Sequence, residues 1–132
     1  MRVLIGGHKA LRNSPELIHI VGELNRVAAS ARIPKHNGWL LGLFHSTRAL
    51  DTTLRVVVLY KGWPASPGLG AYLRALRTNN VIGQKEFERW TRTIVKRRNR
   101  YMHRAGAMPT QFETDELLSE MHACVAIVLA KT

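Results

Sequence analysis

Apolar residues in this chain recur at intervals of three and four over most of its length and rarely alternate. That period lines up side chains on one face of an α-helix, not on one face of a strand. Leu17, Ile20, Val21, Leu24, Val27, Ala28 and Ala31 form the first such stripe. Ser14 is a good N-cap ahead of it, Pro15 suits a first helical position and Glu16 complements the helix dipole. A helix over 15–31 follows, stopped by Arg32-Ile33-Pro34 because the residue before a proline avoids the helical region. A second stripe, Leu40, Leu43, Phe44, Thr47, Leu50, Leu54, Val57 and Val58, predicts a helix from near Asn37 to Tyr60. The run 56–60 has strand propensity, but the helical period continues through it. Arg48, Asp51 and Arg55 share this helix at three-and-four spacing, so Asp51 is in reach of both cations; an ordinary solvated face is the usual reading, and a buried Asp that orients an arginine the minority one.

Residues 62–68 hold four prolines or glycines beside Trp63 and read as a loop. A third helix is predicted over 69–78, with Leu69, Tyr72, Leu73 and Leu76 inward. Asn79-Asn80 and Gly83 break the chain before a fourth helix, Gln84 to Arg104, with Phe87, Trp90, Ile94, Tyr101 and Ala105 on one face. A fifth begins near Thr114, with Asp115 and Glu116 in its first turn and a stripe of Leu117, Leu118, Met121, Cys124, Val125, Val128 and Leu129. In residues 1–13, Val3-Leu4-Ile5 resembles a strand stub without a partner. The segment reads as an N-terminal extension. The expected fold is therefore an all-α, single-domain bundle of about five helices over 14–132.

The chain carries 20 Lys+Arg against 9 Asp+Glu, a net charge of +11. Such an excess favours a polyanionic partner, with RNA or DNA first in line. The single cysteine, Cys124, excludes an intrachain disulfide and a cysteine metal cluster, and reads as a small core residue. No apolar run approaches a membrane span, and the opening apolar run is too short for a signal peptide, so a cytoplasmic location without membrane contact is expected. No Asp/Glu/His cluster reads as a metal site, and no cofactor is expected.

The basic residues crowd most densely into Arg97-Arg98-Asn99-Arg100-Tyr101-Met102-His103-Arg104-Ala105-Gly106, at the end of the fourth helix. An arginine presents a rigid fork of donors to phosphate. A histidine exchanges protons near neutral pH. Stepping about 100° per residue from Phe87 puts Arg98 near 20°, within the apolar stripe, and His103 near 160°, almost opposite. One straight helix therefore keeps the pair apart. Either the helix distorts before Gly106 or a second copy of the chain completes the site. Lys96, Arg97, Arg100 and Arg104 fall elsewhere and read as solvated. Among the histidines outside this stretch, His8, His19, His36, His45 and His122, His45 is the one expected to face a cleft.

An Arg-Asn-x-x-x-His motif closing the penultimate helix of a small all-α domain resembles the HEPN superfamily, whose signature is an Arg followed four to six residues later by a His. The resemblance covers residues 14–130 in architecture and Arg98, Asn99 and His103 in specific residues. It implies a two-fold homodimer with the two motifs facing one another across a shared cleft. It further implies a metal-independent endoribonuclease of a toxin–antitoxin, phage-defence or RNA-processing system, with an antitoxin or other protein as a further partner. One subgroup carries a Tyr two residues after the His; here that position is Ala105. On this reading Arg98 holds the phosphate, His103 is the general base or acid and Asn99 orients either. Lys96, Arg97, Arg100 and Arg104 attract the RNA backbone. Two other classes fit the same residues: a non-catalytic nucleic-acid-binding member of the fold, and a helical module whose basic face meets an acidic protein.

Four cations on a single strand of RNA give a slope of log affinity against log salt of about −3, or a roughly 50-fold loss between 50 and 200 mM. Fluorescence anisotropy with labelled RNA measures it. A flat response assigns the charge to another partner.

Overall fold

A computed structural model describes residues 1–33 and 35–132, residue 36 in its backbone only. The described residues form α1 (Arg2–Gly7), α2 (Lys9–Arg12), α3 (Leu17–Ser30), α4 (Lys35–Tyr60), α5 (Leu69–Thr78), α6 (Gln84–Trp90), a π turn (Thr91–Val95), α7 (Lys96–His103) and α8 (Gln111–Lys131). There is no strand among them. The segments α6, π turn and α7 run on without a break, so seven separate helices make one all-α domain. Among the described residues, no helix is long and apolar enough to cross a membrane.

The packing centres on α4, which touches α2, α3, α5, α7 and α8. Its stripe explains why. Leu43, Ala49, Leu50, Leu54, Val57 and Val58 are all buried. Each large one contributes about 1.5–3 kcal/mol by leaving water. The helix carries through 56–60 although these residues favour strands, because burying Val57 and Val58 needs the helical period. Facing them are Ile20 and Leu24 of α3, Leu73 and Leu76 of α5, Trp90 and Ile94 of the fourth rod, and Leu117, Met121, Cys124, Val125 and Val128 of α8. Burial pushes the Cys124 thiol far above its ordinary pKa, which leaves it a packing group.

Local signals set the ends. The Ser14 hydroxyl accepts from the Glu16 N–H at 3.1 Å and opens the turn before α3. The expected proline stop, Pro34, lies outside the described residues. Gly62, at φ +71°, ends α4: its N–H reaches the Leu59 carbonyl at 3.0 Å and the Trp63 N–H reaches Val58 at 3.2 Å. The fifth helix starts earlier than its apolar stripe suggests. Thr110 and Glu113 form a capping box, the Glu113 N–H donating to the Thr110 hydroxyl (3.1 Å) and the Thr110 N–H to the Glu113 carboxylate (3.2 Å). Thr114, the expected start, is instead buried one turn in and donates to the Trp39 carbonyl at 3.3 Å.

Residues 1–13 are packed, not appended. Ile5 and Leu11 are completely enclosed, and Val3-Leu4-Ile5 lies within α1, not in a strand. Buried His8 caps α2 by accepting from the Ala10 N–H at 3.1 Å, and its Nε2 lies 3.0 Å from the Thr132 hydroxyl. Burial first, then Lys9 and Lys61, hold its pKa below the ordinary histidine value.

The crossing of α3 and α4 depends on Gly38. A Cβ there would stand 2.1 Å from the Ile33 carbonyl oxygen and 2.7 Å from that of Ser30. Both are backbone atoms that no rotamer change can move. Gly38→Ala is expected to cost about 2 kcal/mol or more in urea unfolding. Gly6→Ala, where a Cβ meets nothing within 4 Å, is expected to be neutral or to stabilise by up to about 1 kcal/mol. Equal effects would mean that the two helices do not cross so closely.

Candidate functional site

The π turn bears directly on the motif. A π turn takes in one extra residue and rotates everything after it by roughly 100° relative to α6. Angles counted from Phe87 therefore do not carry into α7. Within α7 the step is regular again, so Arg98 and His103 remain about 140° apart. The distortion lies before the pair, not between its members.

Two side-chain pairs four residues apart fix how α7 sits. Arg97 and Tyr101 face α8. Arg97 Nη1 donates to the Glu113 carbonyl at 3.2 Å, and its Nη2 stands 2.9 Å from the Glu116 carboxylate. The Tyr101 hydroxyl donates to Glu113 Oε2 at 2.6 Å. Burial pushes the Glu113 carboxyl up, but Tyr101, the Thr110 N–H and hydroxyl and then Arg97 outweigh it and hold the group below its ordinary value. Burial, followed by the bond to Glu113, raises Tyr101. The expectation that Arg97 is solvated fails here: its side chain is only 16% exposed. With Arg97 engaged, three of the four expected RNA cations stand free of these carboxylates. The fully exposed flank consists of Lys96, Arg100 and Arg104.

Arg98 and Met102 face α4. They line a cleft of about 160 Å³ with Phe44, Thr47, Arg48, Asp51, Thr52 and Leu69. Arg98 is half-buried on the side that the π turn sets, not the count from Phe87, and its Nη1 donates to Asn99 Oδ1 at 3.1 Å. Asp51 is the acidic group in the wall. The Arg48–Asp51–Arg55 trio does not pair as its spacing suggested. Arg48 Nε goes to Glu23 (3.3 Å) and Arg55 Nη2 to Glu16 (3.4 Å), both on or beside α3. Helix packing thus pulls both arginines away, and Asp51 is left to face Arg98 across the cleft. Burial raises the Asp51 carboxyl; Arg98 first, then Arg55, offset part of that rise. Because the folded pKa is raised, the ionised carboxylate costs stability as pH rises through the carboxylate range, the reverse of a well-paired Asp.

His103 is exposed at the last position of α7 and is not in the wall of the cleft. Asn99 is exposed too and is tied to Arg98. One chain therefore brings together Arg98, Asn99 and Asp51, and leaves His103 outside. Of the wall residues, sequence reasoning assigned only Arg98 to the site; it placed Phe44, Thr47 and Leu69 in helix stripes and Arg48 and Asp51 on a helix face, and did not single out Thr52 or Met102. Only the Arg-x3-Met spacing after Arg98 hinted at Met102. Among the described residues, no three His, Cys, Asp or Glu side chains converge on a point where a metal ion could sit.

If Arg98 faces Asp51, then Arg98→Met should move the Asp51 titration further up, because a cation that favours the carboxylate is gone. Carbon-detected NMR of the Asp51 carboxyl reads the shift. An unmoved or lowered titration would show that the two groups do not interact.

No protein-family model matches the chain, and neither a curated protein nor a solved structure does.

Proposed function

We propose that the protein is a metal-independent endoribonuclease of HEPN type, acting as a toxin or as a defence or RNA-processing nuclease. One observation carries the reading: Arg98 is held half-buried in a cleft, opposite Asp51, while His103 five residues on stands exposed at the helix end. A cation fixed in a cleft suits a phosphodiester. An exposed histidine about 140° away suits a composite site, in which two chains related by a two-fold axis bring His103 of one towards Arg98 of the other. Regular helix between the two residues supports this reading over local distortion.

The chemistry needs no outside reactant. The RNA 2′-OH gives up its proton and O2′ forms a bond to phosphorus. The P–O5′ bond breaks and O5′ takes a proton. Products are a 2′,3′-cyclic phosphate and a 5′-OH. His103 serves as acid or base in this exchange, a role typically worth about 10²–10⁴-fold. Arg98 offsets the charge that builds on the phosphorane oxygens, and Asn99 fixes the Arg98 fork. Lys96, Arg100 and Arg104 draw the RNA in.

His103→Ala should abolish cleavage of labelled RNA and change stability by no more than about 0.5 kcal/mol, as expected for an exposed side chain. Arg98→Ala should also abolish cleavage and loosen the fold or the dimer. Arg100→Ala should mainly weaken binding. Cleavage should persist in EDTA, leave a cyclic phosphate and stop on substrate with a 2′-deoxy sugar at the scissile position. A need for a divalent ion, or cleavage of the deoxy substrate, would sink the mechanism. A monomer by sedimentation across micromolar concentrations would sink the composite site. Intact RNA binding without cleavage would leave a non-catalytic binding module.

A further inference from the structure

A second cavity, of about 610 Å³, adjoins the Arg98 cleft, and Arg48 and Thr52 line both. Across it α3 faces α4. Glu23 of α3 reaches His45 of α4, with 2.6 Å between Oε2 and Nδ1. The other Glu23 oxygen meets Arg48 Nε at 3.3 Å and Arg26 Nη1 at 3.6 Å. Glu23 is only 8% exposed, a burial that a carboxylate tolerates when its oxygens are taken up this way. The His45 ring is held from a second side by Phe44, edge to face at 5.1 Å. Its Nε2 has no hydrogen-bond partner among the described residues, and the ring lines the cavity.

A carboxylate on Nδ1 fixes the tautomer with the proton there and leaves the lone pair on Nε2, the nitrogen turned to the cavity. An ion-pair network that merely ties α3 to α4 would account for Glu23, Arg26 and Arg48. It would not account for a histidine oriented by a carboxylate with its other nitrogen left to a cavity. On α4, His45, Arg48 and Asp51 follow at steps of three, a row that winds by about 60° per step over a rise of about 9 Å, with Arg48 between the two cavities. Arg98 stands at the Asp51 end of that line and His45 at the other.

We propose that the two cavities form one groove for an RNA phosphodiester, in which Arg98 and Arg48 hold the phosphate and His45, oriented by Glu23, takes the 2′-OH proton. This rests on the ribonuclease reading and divides its proton transfers. The O2′ proton passes to His45 Nε2 as the O2′–P bond forms. The P–O5′ pair leaves on O5′, which takes its proton from protonated His103. His45 ends as the cation and His103 neutral, and exchange with water resets both. His45 is then a catalytic residue and Glu23 a positioning residue.

The test uses the full chain with nitrogen-15 histidine labelling and a 2′-O-methyl dinucleotide, which binds but cannot be cut. Saturable movement of the His45 ring signals, lost in Arg98→Met, is expected. His45→Gln should lower cleavage by about 100-fold or more and change dinucleotide affinity less than about threefold. Glu23→Gln should shift the His45 ring-nitrogen signals away from the Nδ1–H tautomer and lower cleavage with dinucleotide affinity kept, a rate loss that a purely structural carboxylate would not produce. A substrate with a 5′-bridging sulfur, whose leaving group needs no proton, should rescue His103→Ala and not His45→Gln. Unmoved His45 signals, or His45→Gln cleavage within about threefold of wild type, overturn the proposal and leave the Arg98–His103 reading intact. His45 signals that move in a protein that cuts nothing overturn the ribonuclease reading and the proton step together.

Discussion

Glu113 holds the functional end of the molecule in place. Its side chain closes the capping box that starts α8, accepts the Tyr101 hydroxyl and lies near Arg97, while its backbone carbonyl takes the Arg97 guanidinium. One residue thereby fixes where α8 begins and how α7 lies against it. These bonds are charge-assisted and partly shielded from water, which makes each worth more than a surface pair. They face α7 so that Arg97 and Tyr101 turn to α8. Arg98 and Met102, one position later in each case, must then turn to α4. The depressed Glu113 pKa means that this anchor is fully present above the ordinary carboxylate range and fades as pH falls through it.

The charges around α4 divide by what lies opposite them. Glu23 and Glu16 come from the α3 side and capture Arg48 and Arg55. Glu120, from α8, takes Arg89. Each pair with a mostly exposed arginine adds little to stability. The apolar core of α4, α5, α8 and the fourth rod carries the fold. What the pairs do is select which polar groups remain uncommitted. Asp51 forms no ion pair with either helix neighbour, feels Arg55 more weakly than Arg98, and faces Arg98 across the cleft. Electrostatics thus acts here less as glue than as a sorting device: the Glu23 network lines the larger cavity, and Asp51 and Arg98 face one another in the smaller.

The helical class, the single core and the identity of its stripes were legible from periodicity, because burial enforces a 3.6-residue period on every packed helix. Helix α5 appears with its expected ends. The capped start of α8 was legible too, in Thr110-x-x-Glu113, though the apolar stripe drew attention to Thr114 instead. Residues 1–13 were not legible. Two helices of six and four residues are too short to show a period, and only contact with α3, α4 and α8 holds them.

The sequence by itself determined the composition of the motif and the separation of Arg98 from His103, since five residues of regular helix always turn by about 140°. Only the tertiary structure decided which neighbour each arginine would meet. The π turn rotates α7 relative to α6, and nothing in Thr91–Val95 announces it. Arg97 became an anchor and not a solvated cation because Glu113 and Glu116 arrive from a helix more than a dozen residues away. Asp51 faces Arg98, and Glu23 faces His45, for the same reason. Periodicity reports which side of a helix is covered, whereas the partner of a charged group depends on a neighbouring helix whose position is fixed by packing far along the chain.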